Sequence, residues 1–434
     1  MAATPSVGSS VSQVIENPAK ERTATASTKQ AAVAWLVAAV FYFYQYVLRS
    51  APSVMMPQLS EAFGLSALGL ASLVGFFYYG YSFFSLVAGA SLDRLGPRRI
   101  MPIAALVMGV GALFFSLGTN SLGSLGRFLQ GVGGAFAAVG AIYIASTRFP
   151  PSLGATLIGA TQMFGMAGGS AGQFAVGPAI SGGLAWTRFW ELMAAAALAI
   201  GALLFFLLPK EESRKQSKGS WRSVLGPFRT VFANPQSILC GLIAGLLFIP
   251  TTIFDMIWGV RYLQEAHGLE YATAVMRSAA VPIGWIIGCP LLGFISDRLG
   301  RRKPVIIGAS LLLIACLAWV LFGQIGVFPA YSLALTMGLA SGAAMLPYTI
   351  IKEVNPPEMG GTATGVINFL NFTFSALLGP VFGWLLRYLS QESPQMELRH
   401  YQTAFAPLIL GVALAIALTF FLKETGSAVR ATSR

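Results

Sequence analysis

The chain has 434 residues, of which 55% are hydrophobic and only 10% are charged, whereas soluble domains carry about 25% charged residues. This composition excludes an ordinary soluble protein, and the formal net charge of +12 does not indicate nucleic-acid binding, because the basic residues cluster in alternate loops rather than on one face. The three cysteines lie in apolar runs without metal-ligand spacing, so neither a metal ion, another cofactor nor a disulfide framework is expected.

Apolar segments of about 20 residues, each long enough to cross the hydrocarbon core of a bilayer, follow one another along the chain. The stretch 1–29 is rich in Ser, Thr and Ala, lacks the apolar core of a signal peptide, and is predicted to be a disordered cytoplasmic tail. The segments of the first half fall near 30–57, 66–91, 100–118, 124–147, 154–178 and 187–208. After a polar linker over 209–235, the second half has segments near 236–262, 271–294, 304–324, 328–350, 361–387 and 402–422, followed by a second tail over 423–434.

The predicted fold is therefore an all-α membrane protein with twelve transmembrane helices in two pseudo-symmetric six-helix lobes, 30–208 and 236–422. Lysine and arginine concentrate after segments two and eight and in the linker, while the loops of opposite parity carry mostly glutamate. Because basic loops stay in the cytoplasm, both termini and the linker are predicted to be cytoplasmic. Targeting signals and glycosylation-rich loops are not apparent, which favours a bacterial inner membrane.

The loops after segments two and eight carry the same motif. The first reads Gly89-Ala-Ser-Leu-Asp93-Arg94-Leu-Gly96-Pro-Arg98-Arg99, and 204 positions later the second reads Gly293-Phe-Ile-Ser-Asp297-Arg298-Leu-Gly300-Arg301-Arg302-Lys303. Further on, Pro150-Pro151-x-x-Gly154 through Gln162 returns, offset by 206, as Pro356-Pro357-x-x-Gly360 through Asn368. The two halves thus share one architecture, which in a membrane is typical of a two-lobed transporter with its site between the lobes.

The paired loops are predicted to be gates. A carboxylate such as Asp93 or Asp297 can cap the N-terminal amides of a neighbouring helix, so each loop would latch two helices together until its side of the membrane opens. The alternative is that the loops only anchor the topology through their basic residues. The predicted gating residues are Gly89, Asp93, Arg94, Gly96, Arg98, Gly293, Asp297, Arg298, Gly300 and Arg301.

The repeated motif resembles the signature of the major facilitator superfamily, and the resemblance covers nearly the whole chain: segment number, half-repeat, linker and charge pattern. Arg127-x-x-x-Gly131-x-Gly133 in segment four and Gly177-Pro178-x-x-Ser-Gly182-Gly183 in segment five are similar to further family motifs. The resemblance implies a transporter that works by alternating access in the lipid bilayer, with a small-molecule solute and protons as partners and as a functional monomer. Enzyme activity is not expected, since no nucleophile–base pair, phosphate loop or metal cluster is apparent.

Segment one carries a polar stripe at helical spacing, predicted to bind the solute. Its members are Tyr42, Gln45, Tyr46, Arg49 and Ser53. Arg49 lies beyond the membrane midplane, where a charge is costly and functional by default, and its guanidinium fork suits a carboxylate or phosphate. The alternatives are that Arg49 snorkels to the outer surface or pairs with a structural acid.

The run from Tyr46 to Ser66 resembles the first helix of the organic-anion branch of the superfamily, in which the matching arginine contacts the anion. Two carboxylates that are common in that branch are missing, since Leu48 and Gly134 occupy their places. Asp255 in segment seven is predicted to replace them in proton coupling, as a near neighbour of Arg49 across the central axis or in alternation with substrate and proton; a static ion pair with Arg49 is the alternative.

The other predicted substrate-binding residues are Gln162, Trp258, Tyr348, Asn368 and Asn371. The predicted function is secondary active transport of a small polar solute, an organic anion (carboxylate or phosphate), with proton coupling. The alternatives are a proton-driven exporter of amphiphilic compounds and a non-transporting membrane sensor of the same fold.

Overall fold

The computed structural model describes residues 18–65, 67–150, 153–210, 221–323, 327–390 and 396–428, and within these ranges all regular structure is helical. The first lobe contains α1 (Pro18–Ser50), α2 (Ala67–Leu95), α3 (Pro97–Ser116), α4 (Asn120–Arg148), α5 (Gly154–Phe174) and α6 (Trp186–Leu207). The second lobe contains α7 (Pro235–Ile249), α8 (Tyr271–Leu299), α9 (Lys303–Phe322), α10 (Val327–Ser341), α11 (Gly360–Leu389) and α12 (Leu398–Phe421). Each helix matches one predicted segment.

Two helices of the second lobe change their winding partway. The α7 rod continues through a π-helical segment, Pro250–Gly259, into a last α-helical part, Val260–His267. The α10 rod continues through one 3₁₀ turn, Gly342–Met345, into Leu346–Glu353. Such changes of winding are frequent at functional positions in helices.

Eleven helices in the described ranges are long and apolar enough to cross a membrane. The remaining long helix is α5, whose 21 residues reach about 32 Å at 1.5 Å per residue. Its glycines, threonines and glutamines make it less apolar than the rest, because it packs against α1 and α8 inside the protein. The twelve-helix prediction is confirmed.

The sequence repeat is also a repeat of backbone conformation. The short helix Met56–Phe63 after α1 ends at Gly64 with φ 61°, and Val260–His267 ends at Gly268 with φ 65°. These two glycines are 204 positions apart and both adopt the left-handed conformation that favours glycine at the end of a helix.

The lobes meet closely at one end, called here the basic end, which contains the α2–α3 and α8–α9 loops. There α2 packs along α11 of the other lobe, and α8 packs along α5. A methyl group added at Gly89 would collide with the carbonyl oxygen of Gly361, and one added at Gly293 would lie 2.7 Å from the carbonyl oxygen of Ala155. Backbone therefore meets backbone between the lobes, and the basic end is closed.

The predicted tails and linker are described only in part. Helix α1 begins at Pro18, inside the predicted 1–29 tail, and the linker contains the helix Trp221–Ala233. In the second tail, the carboxylate of Glu424 accepts hydrogen bonds from the backbone of the α8–α9 loop. Residues 1–17, 211–220 and 429–434 lie outside the described residues, and the domain boundaries stay predictions.

Replacing Gly89 by alanine is expected to lower the melting temperature of the purified protein, because the added methyl group overpacks the α2–α11 contact by about 1–3 kcal/mol. Gly75→Ala in the same helix is the control, since no atom lies within 4 Å of its added methyl group; it is expected to stabilise the helix by about 0.5–1 kcal/mol. Equal melting temperatures for the two variants would contradict the close contact.

Candidate functional site

A small cavity lies between the two lobes, close to the middle of α1 and α11. It has a volume of about 10 Å³, which is room for about one water molecule. Residues of both lobes line it: Tyr42, Ala138, Ile142 and Gln162 from the first, and Phe248, Met345, Tyr348, Asn368, Asn371 and Phe372 from the second. The structure therefore brings together five of the predicted solute-binding residues: Tyr42, Gln162, Tyr348, Asn368 and Asn371.

On the first-lobe side, one amide ties two phenols together. The hydroxyl of Tyr42 donates to Gln162 Oε1 at 2.8 Å, and Gln162 Nε2 donates to the hydroxyl of Tyr46 at 3.1 Å. The two tyrosine rings meet edge to face with centroids 5.1 Å apart. Since both ends of the amide are bonded, Gln162 is fixed in orientation at the cavity wall.

The second lobe presents a matching arrangement from α10 and α11. The hydroxyl of Tyr348 donates to Asn368 Oδ1 at 2.9 Å, and Asn371 Nδ2 donates to the same hydroxyl at 3.0 Å. Asn368 Nδ2 reaches across to the first lobe, where it donates to Ser85 Oγ at 2.9 Å. Amides and phenols thus face the cavity from both sides, and they can donate to or accept from a polar solute.

Arg49 lies next to this cavity, buried to 6% exposure. Its guanidinium carbon is 4.8 Å from the ring centre of Tyr46, 4.9 Å from that of Tyr78 and 4.8 Å from that of Phe372, which lines the cavity. Only Nε donates a hydrogen bond, to the Tyr78 hydroxyl at 3.3 Å. Within the described residues neither Nη1 nor Nη2 has a hydrogen-bond partner. The guanidinium points into the protein, and the snorkelling alternative does not describe it.

The stripe predicted along segment one stops before Ser53. Helix α1 ends at Ser50 and a 3₁₀ turn follows, in which Ser53 Oγ donates to the carbonyl of Ser50 at 2.7 Å. Pro52 has no N–H, so it cannot bond the carbonyl four residues earlier. That carbonyl, of Leu48, instead accepts from Arg127 Nη1 at 2.9 Å. Ser53 therefore lies outside the cavity, and Arg127 satisfies the end of α1.

Gln45 shares the buried face of α1 but has no polar contact. It is fully buried, and neither its oxygen nor its nitrogen has a partner among the described residues. A methyl group added at Gly134 would lie 2.9 Å from Gln45 Cγ. Gly134, at the position where the organic-anion branch commonly has a carboxylate, therefore leaves room for the neutral amide of Gln45.

Asp255 faces α8 rather than Arg49. It is buried in the π-helical segment, where its Oδ1 accepts from Ser278 Oγ at 3.0 Å and its Oδ2 has no partner among the described residues. No ion pair joins it to Arg49 in the described part of the chain, so the structure does not show the static ion pair that is the alternative to proton coupling. Four aromatic rings lie within 6.0 Å of the guanidinium carbon, whereas the carboxylate lies in the π-helical segment against Ser278 of α8. Trp258, one turn further on, also lies away from the cavity, with Arg261 over its ring at 5.7 Å.

Two carboxylates latch the lobes together at the basic end. Asp93 accepts from the backbone N–H of Gly361 at 2.9 Å, and from both the N–H and the hydroxyl of Thr362 at 2.7 Å. Asp297 accepts from the N–H of Thr156 at 3.0 Å and from its hydroxyl at 2.9 Å. Each carboxylate therefore caps the first turn of a helix in the opposite lobe, as the sequence predicts.

The second latch includes Arg302, which makes two ion pairs there and which the sequence prediction misses. Arg302 Nη1 donates to Asp297 Oδ1 at 2.6 Å, and Arg302 Nη2 donates to Glu353 Oε1 at 3.0 Å. Burial alone would lower the pKa of the Arg302 guanidinium, but its hydrogen bonds to Glu353 and Asp297 raise that pKa above its ordinary value. The predicted Arg301 is exposed instead. The repeat could have identified Arg302, because the offset of 204 aligns Arg302, and not Arg301, with Arg98.

The other predicted gate residues lie around the latches. Arg98 Nη1 donates to the carbonyl of Leu208 at 2.9 Å, and Arg298 lies over the ring of Phe294. Gly96 follows the last residue of α2, and Gly300 follows the last residue of α8. Their φ angles of 74° and 60° are positive, which favours glycine at both turns.

Asp93→Asn is expected to favour opening of the basic end, because the neutral amide loses the charge-assisted bonds to Thr362. A loss of about 2 kcal/mol corresponds to a shift in population of roughly thirtyfold. The measurement is the distance between spin labels at Leu95→Cys and Glu358→Cys, which should lengthen. Glu191→Gln, an exposed acid away from the latches, is the control, and an unchanged distance distribution in Asp93→Asn would show that the carboxylate is no latch.

Comparison with known proteins agrees with this architecture. Residues 38–380 match the Major Facilitator Superfamily model. The chain is 26% identical to the hexuronate transporter of Bacillus subtilis (77% of this chain and 83% of the relative) and 25% identical to the membrane sensor protein UhpC of Salmonella typhimurium (88% of each). It is also 25% identical to the cis,cis-muconate transport protein of Acinetobacter baylyi, over 63% of this chain and 69% of the relative.

The fold matches that of a solved structure, the proton:xylose symporter XylE bound to 6-bromo-6-deoxy-D-glucose, with a TM-score of 0.71 at 17% identity over 92% of this chain and 97% of that one. The family match covers most of the chain, and its members are transporters rather than enzymes. This chain therefore belongs to the Major Facilitator Superfamily, as a multi-pass integral membrane protein with the family's all-α, two-lobed transporter fold.

Proposed function

We propose that this protein is a secondary active transporter of a small organic anion, a carboxylate or phosphate, coupled to protons through Asp255. It acts as a monomer in a bacterial inner membrane, with the basic end and both termini in the cytoplasm. The observation that carries the proposal is the Arg49 guanidinium, buried beside a polar cavity with two of its three nitrogens unbonded within the described residues.

A buried cation without a counterion is unfavourable by several kcal/mol. The rings around Arg49 offset part of this cost through cation–π contacts of about 2 kcal/mol at a desolvated site. A carboxylate would do more, since a guanidinium fork binds it with two parallel hydrogen bonds. The Phe372 ring contacts the guanidinium and also lines the cavity. An anion in the cavity would therefore be separated from the Arg49 guanidinium by the width of this ring. The names of two relatives, a hexuronate and a muconate transporter, indicate the same solute class.

Transport also requires that the lobes separate at each end in turn. The structure is closed at the basic end by Asp93 and Asp297, and these bonds must break when that end opens. Asp255 supports proton coupling, because one oxygen of its buried carboxylate has no partner among the described residues. Binding of a proton or a cation would stabilise such a carboxylate. Its place in the π-helical segment of the α7 rod, next to Ser278 of α8, lets its protonation affect how this rod packs against α8.

Arg49→Ala is expected to lower uptake of radiolabelled glucuronate or cis,cis-muconate into proteoliposomes by about 100-fold, because the buried charge partner of the anion is lost. Arg261→Gln is the control, since Arg261 already has a partner in Glu265 at 2.7 Å. Equal uptake by Arg49→Ala and wild type would contradict the proposal. Binding of either anion without any flux by the wild type would favour a sensor, the activity named for the UhpC relative.

Asp255→Asn is expected to remove the acceleration of uptake by an inward proton gradient while leaving solute counterflow intact, since counterflow requires no net proton movement. The neutral amide has nearly the shape of the carboxylate, so Ser278 keeps a hydrogen-bond partner. The measurement compares uptake with and without a pH gradient in the same proteoliposomes. A response to the gradient as large as that of the wild type would remove Asp255 from the coupling mechanism.

A further inference from the structure

A second buried cation has no hydrogen-bond partner within the described residues. It is the ammonium of Lys352, in the last part of the α10 rod. The adjacent carboxylate of Glu353 is directed to Arg302 at the basic end. The side chain of Lys352 is half-buried, but its nitrogen is buried. Lys352 thus shares with Arg49 a basic nitrogen inside the protein that has no hydrogen-bond partner among the described residues.

The position of Lys352 relates it to the cavity. Met345 and Tyr348 line the cavity, and Lys352 follows them by seven and four residues, so all three side chains share one face of the helix. This part of α10 packs against α5 of the opposite lobe. Four residues correspond to about 6 Å along a helix, and because Glu353 meets Arg302, this step from Tyr348 leads towards the basic end.

Arg49 is displaced from the cavity in the opposite direction. It follows the cavity-lining Tyr42 by seven residues, or about 10 Å, along a helix that runs away from the basic end. Arg49 therefore lies on the side of the cavity away from the basic end, and Lys352 on the side towards it, each with donors that have no hydrogen-bond partner among the described residues. Arg49 stands on the first lobe and Lys352 on the second.

The fold itself does not require a cation at this place. The offset of 206 aligns Tyr348 with Ile142, which also lines the cavity, and Lys352 with Ser146 of α4. The hydroxyl of Ser146 donates to the carbonyls of Ile142 and Tyr143, both at 3.0 Å. A small, exposed side chain that bonds within its own helix thus occupies the aligned position in the other lobe, so the repeated architecture does not itself call for a lysine here.

We propose that Lys352 forms a second anion subsite, which takes the carboxylate of the solute from Arg49 as the basic end opens. This inference rests on the proposed transport of an organic anion. One strong site would bind the anion but release it slowly, whereas two staggered sites let it enter and leave. An ammonium suits the releasing position, because it offers a point charge rather than the bidentate fork of arginine.

The test uses purified protein in proteoliposomes, with radiolabelled glucuronate and cis,cis-muconate as probes. The half-saturating concentration is measured in exchange experiments separately at each face of the membrane. Lys352→Met is expected to raise it about tenfold at the face of the basic end, the effect of losing one ion pair, and less than about twofold at the other face. Lys352→Arg keeps the charge and adds the bidentate fork, so its half-saturating concentration at that face should not rise above the wild-type value. Lys352→Gln serves as a second neutral variant if Lys352→Met does not fold.

The control is Lys423→Met, which removes an exposed lysine from the same end and should change neither face. Unchanged half-saturation in Lys352→Met, an equal change at both faces, or a loss in Lys352→Arg as large as in Lys352→Met would each overturn the subsite. If the wild type carries neither probe, the proposed function fails as a whole. If the wild type transports a probe and the Lys352 variants have the same half-saturating concentrations as the wild type, only the second subsite is overturned.

Discussion

The closed arrangement of this transporter depends on two carboxylates that cap helices in the opposite lobe. The first N–H groups of any helix lack partners within the helix, and the positive end of the helix dipole adds to their attraction for an anion. Asp93 meets this need at the start of α11, and Asp297 meets it at the start of α5. Because the donors belong to one lobe and the acceptors to the other, each bond stabilises only the state in which the lobes touch.

The latches also determine the cavity, because the same helices extend from one to the other. Gln162 lies two turns beyond Thr156 on α5, and Asn368 lies at a similar distance beyond Thr362 on α11. While the latches hold the first turns of α5 and α11, Gln162 and Asn368 line opposite lobes of the same cavity, which has a volume of about 10 Å³. The hydrogen bond from Asn368 to Ser85 of α2 joins the lobes at the depth of the site. Opening of the basic end must therefore disturb the residues that line the cavity, because the same helices carry the latches and the cavity wall.

The sequence predicts the parts of this design that the repeat contains. The apolar segments predict the twelve helices, the repeat predicts the two lobes, and the two motif carboxylates predict the latches. These predictions succeed because an apolar segment and a helix cap depend on residues that are close together in the sequence. It does not predict contacts that depend on where a helix ends or winds differently. Ser53 leaves the stripe because Pro52 ends α1, and Asp255 faces Ser278 because the α7 rod is π-helical around it. The ring cage around Arg49 depends on Phe372, 323 positions away, which spacing within one helix cannot reveal.

The two copies differ where the chemistry of transport is needed. The latch positions keep the same residues in both lobes because both must cap a helix in the same way. At the depth of the solute the equivalents diverge: Arg49 aligns near Asp255, and Lys352 aligns with Ser146. A symmetric pair of cations would repel each other across a narrow cavity of low dielectric, and a symmetric pair of serines would not attract an anion. In the proposed function, a symmetric frame with asymmetric charges would let one lobe bind the solute and the other lobe receive it, and the direction of transfer along the membrane normal would come from the differences between the copies.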